Sequence, residues 1–98
     1  MAPLNKLDAE KNVIPCSGLD EWDEWRSANA SACLVGIALS QADKGRVITT
    51  FIGKLPRLFE TAHLNGRIID IRGQYATWDE AVAGHERHVA EILGDDYI

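Results

Sequence analysis

The sequence predicts an α+β domain: an antiparallel sheet of about four strands, with a short N-terminal helix and a C-terminal helix packed on one face. Three observations carry that expectation. In RVITTFIG, residues 46–53, five of eight residues are β-branched and one is aromatic, a composition suited to a pleated, half-buried strand. Asn65-Gly66 separates two strand-like runs, RLFETAHL and RIIDIR, which is a strong short-range hairpin signal. TWDEAVAGHERHVAEIL, residues 77–93, repeats apolar side chains at spacings of three and four behind a Thr-x-x-Glu capping box.

The elements follow in order. Residues 1–16 show no period and are bracketed by Pro3 and Pro15, so they read as an extended arm with a short edge strand near Val13–Ile14. Residues 17–98 form the compact core of a single domain, 1–98. Ser17 and Asp20 have the spacing of a helix cap, and Asp20, Glu21, Asp23 and Glu24 fall in the first turns, where the helix dipole favours anions. Leu19, Trp22, Arg26 and Asn29 make the expected inner stripe of this helix, with Trp25 beside it. ACLVGIALS is short, aliphatic and uninterrupted, and reads as a buried strand. QADKG turns the chain into RVITTFIG, and Lys54-Leu55-Pro56 ends that strand, because proline cannot donate to a ladder.

A two-residue Asn65-Gly66 loop sets Leu64 opposite Arg67, Ala62 opposite Ile69 and Glu60 opposite Ile71. With Leu58 these form a mainly apolar side that belongs against the core. The other side, with His63/Ile68, Thr61/Asp70 and Phe59/Arg72, is mixed and suits water or a partner. In the last helix Trp78, Val82, His85, Val89, Ile92 and Leu93 form the stripe, Ala81 and His88 lie at its edge, and Gly94 stands at the C′ position.

Size and composition exclude several classes. With 98 residues there is room for one modest core and no separate catalytic domain. A chain 46% hydrophobic and 26% charged is not disordered. No apolar run nears the roughly 18 residues of a membrane span, and the N-terminus lacks an apolar signal core, so a cytoplasmic protein is expected. Cys16 and Cys33 form no CxxC pair and are expected as reduced thiols, with Cys33 a small core residue.

The net charge of −5 is unevenly spread. Residues 1–40 carry three basic and six acidic side chains, residues 41–73 six basic and three acidic, and residues 74–98 one basic and six acidic. An acidic chain is a poor general nucleic-acid binder, so direct nucleic-acid binding is not expected. Acidic ends suit a basic protein surface.

No constellation carries strong chemistry. His85 and His88 lie at i and i+3 and could share a metal, but His63, Glu60, Asp79, Glu91 and the two cysteines are not in ligand spacing. The HExxH pattern is absent, and His85 on the apolar stripe reads as a packed histidine bonding a backbone carbonyl or Glu60. No nucleophile elbow, P-loop or GxGxxG is present. The chain therefore reads as a non-enzyme without metal or cofactor. DEWDEW is the unusual stretch: an acidic, aromatic helix makes Asp20, Glu21, Asp23, Glu24 and Trp25 the candidate partner-binding residues.

Leu58, Phe59, Glu60, Thr61, Gly66, Tyr75, Thr77, Trp78, Glu80, Ala81, Gly84, His85 and Val89 match a pattern of an LFET strand, a glycine turn, an aromatic and TWxEAxxGHxxxV. In these residues the segment 47–90 resembles a family of small uncharacterised tailed-phage and prophage proteins. That resemblance implies phage origin and a ββα unit in the host cytoplasm, and little chemistry. The function expected is a phage interaction module that occupies a surface of a host defence complex, such as a nucleic-acid-handling CRISPR effector. The alternative is a small virion or assembly accessory that forms a homo-oligomer, a homodimer in the simplest case.

Overall fold

Alternation along one central strand decides the architecture. The computed structural model describes residues 3–94. In chain order it has β1 (Asn5–Leu7), β2 (Val13–Pro15), α1 (Leu19–Ala28), a 3-10 turn (Ala30–Cys33), β3 (Leu34–Leu39), β4 (Arg46–Lys54), β5 (Arg57–Asn65), β6 (Ile68–Tyr75) and α2 (Trp78–Ile92). The last four strands form an antiparallel sheet in the order β3-β4-β5-β6, and β1 pairs with β2 in a separate ribbon. The chain is α+β, with the short helix early and the long helix packed against the sheet.

Val47, Thr49, Phe51 and Gly53 of β4 are buried, and the residues between them are not. Pairing sets Val47 beside His63, Thr49 beside Thr61 and Phe51 beside Phe59. α2 covers this face and touches all four strands. Phe51, Phe59 and Ala81 join Leu7 and Cys33 in one core, while Ala38, Val47, Val89 and Leu93 form a second under the end of α2. Trp25 meets Phe51 edge-on at 5.9 Å, and Trp78 meets Phe59 at 6.2 Å, so aromatic edges close the first core on both sides. Arg26 donates to the carbonyls of Phe51 and Ile52, each at 2.8 Å, and pins α1 to β4.

Several expectations need correction. Described residues of the supposed arm fold back as the β1–β2 ribbon, burying Asn5 and Leu7. The Asp8 carboxylate makes that turn by accepting the N–H groups of Glu10 and Asn12, each at 2.9 Å, a local device that hydrophobic periodicity does not register. In α1 the N-cap is Gly18, and the Ser17 side chain does not cap; instead the Ser17 N–H donates to the Glu21 carboxylate at 2.6 Å. Trp25, not Trp22, packs into the core.

The β5–β6 loop is Gly66-Arg67 rather than Asn65-Gly66, with Asn65 paired to Ile68. Gly66 takes φ +63, which suits the first loop position of a II′ turn. The slip is two positions in β6, so Ala62, Leu64, Ile69 and Ile71 still share a face, as do His63, Ile68 and Asp70. Beyond Ile71 a bulge at Arg72 shifts the parity, and Gly73 and Tyr75 take the places beside Thr61 and Phe59, while Leu58 is buried with Phe59. The faces themselves are exchanged. Phe59 and Thr61 lie under α2, and the Ala62–Leu64–Ile69–Ile71 side is the open one. β3 is likewise an edge strand, with Leu34, Ile37 and Leu39 exposed rather than buried.

The buried stripe of α2 is rotated from the predicted one. Ala81, Gly84, His88 and Val89 are its buried residues, and Trp78, Val82, His85 and Ile92 are half-buried. The reason is close approach: a Cβ on Gly84 would fall among the ring atoms of Tyr75. The predicted cap holds, since Thr77 Oγ1 accepts the Glu80 N–H at 3.2 Å and donates to the Glu80 carboxylate at 3.1 Å. Gly94 takes φ +61 after the helix, as a C′ glycine does.

Two stability outcomes follow, both measured by denaturant unfolding with a native-like circular dichroism spectrum as control. Thr77→Ala is expected to cost about 1 kcal/mol, the usual worth of a threonine cap. Gly84→Val is expected to cost about 1–3 kcal/mol by overpacking against Tyr75, more than the few tenths that valine gains over glycine in helix propensity.

Candidate functional site

The open face of the sheet is built from three rows that cross all four strands. Ladder partners place Ile37, Ile48, Ala62 and Ile71 in the central row. Two residues along each strand lies a row of Leu39, Arg46, Leu64 and Ile69. On the other side of centre, Leu34, Thr50, Glu60 and Gln74 make the third. Ile37 and Ile71 are each 46% exposed, and Ile69 is 69% exposed. The exposed isoleucines stand on the two edge strands and half-buried Ile48 and Ala62 join them, an apolar surface of the kind that soluble monomers keep small.

Polar groups on this face are held in place. Arg57 grips the Glu60 carboxylate with two hydrogen bonds of 2.8 and 2.7 Å, and Gln74 donates a third at 3.1 Å. The Arg57 guanidinium holds the Glu60 carboxyl below the usual carboxylate range, against the opposing effect of burial. The face therefore has an apolar centre, one ion-paired network around Glu60 on one side and Arg46 on the other.

Beneath α2 lies the second polar arrangement. His85 Nδ1 is 2.7 Å from Thr49 Oγ1, which is 2.5 Å from Thr61 Oγ1. His85 thus bonds a threonine, not Glu60, which belongs to the opposite face. Gly36 makes room for the ring, since a Cβ there would stand 2.6 Å from His85 Nε2. Burial is the main force that pushes the His85 pKa down; His88 adds to it and Glu86 opposes it. Tyr75 Oη and His88 Nδ1 are buried in the same layer without a hydrogen-bond partner among the described residues, with Glu91 Oε2 at 3.4 Å from His88 outside hydrogen-bond geometry. Both threonines are fully buried, so their hydroxyls offer no reacting atom to a substrate. Among the described residues no group of three His, Cys, Asp or Glu side chains converges as a metal site. A groove of about 280 Å³ beside His85, between α2 and β3, is lined mainly by apolar side chains, among them Ile37, Ala38 and Val89.

The candidate residues of α1 do not act together. Asp20, Asp23 and Glu24 are exposed along one shallow groove. Glu21 is tied to Lys6 at 2.7 Å and to the Ser17 N–H, and these bonds hold its carboxyl down to about 2. Trp25 faces inward onto Phe51. Cys16 and Cys33 are buried free thiols, and burial pushes both pKa values up. The sequence signal for the open face is present but has the same form as a signal for burial: ACLVGIAL is apolar on both sides, and Ile68-Ile69-Asp70-Ile71 is too apolar for a solvated edge strand. No family model, no curated protein and no solved structure matches the chain. No helix among the described residues is long and apolar enough to cross a membrane.

The histidine layer predicts a pH dependence. The folded His85 pKa lies below its ordinary 6.5, so the unfolded chain takes up the proton first as pH falls. Stability tied to neutral His85 is complete above 6.5 and drains as pH drops through the folded value. Thermal midpoints recorded across this window should fall on acidification, and His85→Asn should flatten the slope. The Glu21 contribution is lost only as pH falls from 4.5 toward about 2, in a separate window.

Proposed function

We propose that this protein is a non-enzymatic interaction module that works through the open face of its sheet. The observation that carries the reading is the apolar row Ile37–Ile48–Ala62–Ile71, exposed at both ends and half-buried in the middle, which no ribbon or helix among the described residues covers. Leaving such a surface in water is unfavourable by roughly 25 cal/mol per Å², and a covering partner recovers that free energy. The face combines an apolar centre with satisfied polar groups, the anatomy of a protein interface core.

Two uses fit this module. One is the homo-oligomeric assembly part of a phage, and the neutral, apolar character of the face supports it. The other is inhibition of a host defence complex, in which Asp20, Asp23 and Glu24 approach a basic, nucleic-acid-handling surface; their exposure on α1 supports that use. The likeness of residues 47–90 to tailed-phage proteins bears on both.

Salt and two variants distinguish them. Immobilised protein, incubated with host lysate, should retain its partner from about 0.1 to 1 M salt, because apolar contacts are not screened. Ile37→Asp should release the partner, whereas Asp20→Lys with Asp23→Lys should not. Loss of binding at high salt and in the lysine variant, with Ile37→Asp unaffected, would transfer the contact to α1.

A further inference from the structure

Resting on the interaction reading, we propose that the occupant of the open face is a second copy of this chain. The two sheets stack face to face about a two-fold axis that runs across the strands through the Ile48–Ala62 pair.

Area is the first argument. Four strands at about 4.8 Å spacing, each of 6–9 residues at about 3.4 Å, give a footprint of roughly 400–600 Å². Side-chain relief raises the accessible area above that projection, toward the roughly 800 Å² per partner of a standard interface. Two such faces stack about 10 Å apart, as in a β-sandwich.

Charge selects the axis. Arg46 lies two residues to one side of Ile48, and Thr50 with its neighbour Glu60 lies two residues to the other. An axis along the strands would lay the Arg46 row of one copy over the same row of the other, bringing like charges together. An axis across the strands lays Arg46 over the row that holds Glu60 of the partner subunit. That carboxylate is held by Arg57 and Gln74 one strand over from Thr50, the residue that this axis sets directly opposite Arg46, so Arg46 meets no matching row of cations. The central row then meets itself, isoleucine upon isoleucine, on both edges of the sheet. The helices, which hold most of the acidic side chains, stay on the outer sides of the pair.

The edges argue against the other mode of self-association. The β3 ladder is broken by an irregularity between Leu34 and Gly36, and the β6 ladder by one that leaves Arg72 unpaired between Ile71 and Gly73. Irregular edges of this kind oppose continuation of the sheet into another chain. Association through the face needs no edge.

Sedimentation equilibrium on the full chain from about 1 to 200 µM, a range that spans micromolar affinities, tests the proposal. A doubled mass is expected for the native protein. Ile37→Asp and Ile71→Arg, each at an exposed position, should keep the native circular dichroism spectrum and thermal midpoint and weaken dimerisation at least about 100-fold. Arg46→Glu should weaken it about 10-fold by setting like charges together. A single Ile37→Cys should cross-link to its own copy with a bis-maleimide of about 10 Å, the sheet separation, because the axis lays Ile37 over Ile37 of the partner subunit. Cross-linking only when Ile37→Cys is mixed with Ile71→Cys would overturn the axis. A native protein that is monomeric throughout, or a dimer indifferent to both isoleucine variants, would overturn the inference. The interaction reading survives a monomeric result if Ile37→Asp still abolishes partner capture, and falls with it if capture is unchanged.

Discussion

The close approach of α2 to the sheet is the constraint on which the rest depends. Gly84 on the helix lets it settle onto Tyr75, and Gly36 and Gly73 on the sheet leave room for His85, Tyr75 and His88. Small residues at these three points replace side chains that would have held the layers apart. The approach brings His85 within hydrogen-bond reach of Thr49, so the helix is anchored to the sheet by a polar contact. A buried polar chain of this kind fixes register more than it adds free energy, because the His85 ring nitrogen would lose its partner if the helix slid along the sheet.

From that contact follows the one-sided layout. Phe51 and Phe59 flank the same face, and their edges recruit Trp25 from α1 and Trp78 from α2. The β1–β2 ribbon adds Leu7 to the same cluster. Every covering element is drawn to the aromatic side of the sheet, where it buries most area, and no segment among the described residues remains to cover the reverse. The bare isoleucine face is thus a consequence of how the core was assembled.

The polar residues of the open face fit this picture. A carboxylate on an apolar surface is costly to cover unless its lone pairs are occupied. Glu60 is occupied by two neighbours from its own chain before any partner arrives. Its desolvation has largely taken place in the monomer, which makes the face ready to be covered.

Read as a sequence, the chain determined its α+β class, the order of its helices and later strands, the Thr77 cap and the Gly94 end of α2. Each rests on local chemistry: β-branching, capping and helical periodicity act within a few residues. Side-chain parity next to the β5–β6 turn was legible for the same reason and survived a slip of the turn by two positions, whereas the bulge at Arg72, which shifts it further on, left no local mark. Which face of the sheet meets the helix was not legible, because both faces of β3 and β5 carry apolar side chains, and only packing against Gly84 and the Phe51–Phe59 pair selects between them. The inward turn of Trp25, the pairing of Leu4 with Lys54 and the partnership of His85 with Thr49 are decided in the same way. They join residues 26 to 50 positions apart, and tertiary structure alone brings such groups within reach.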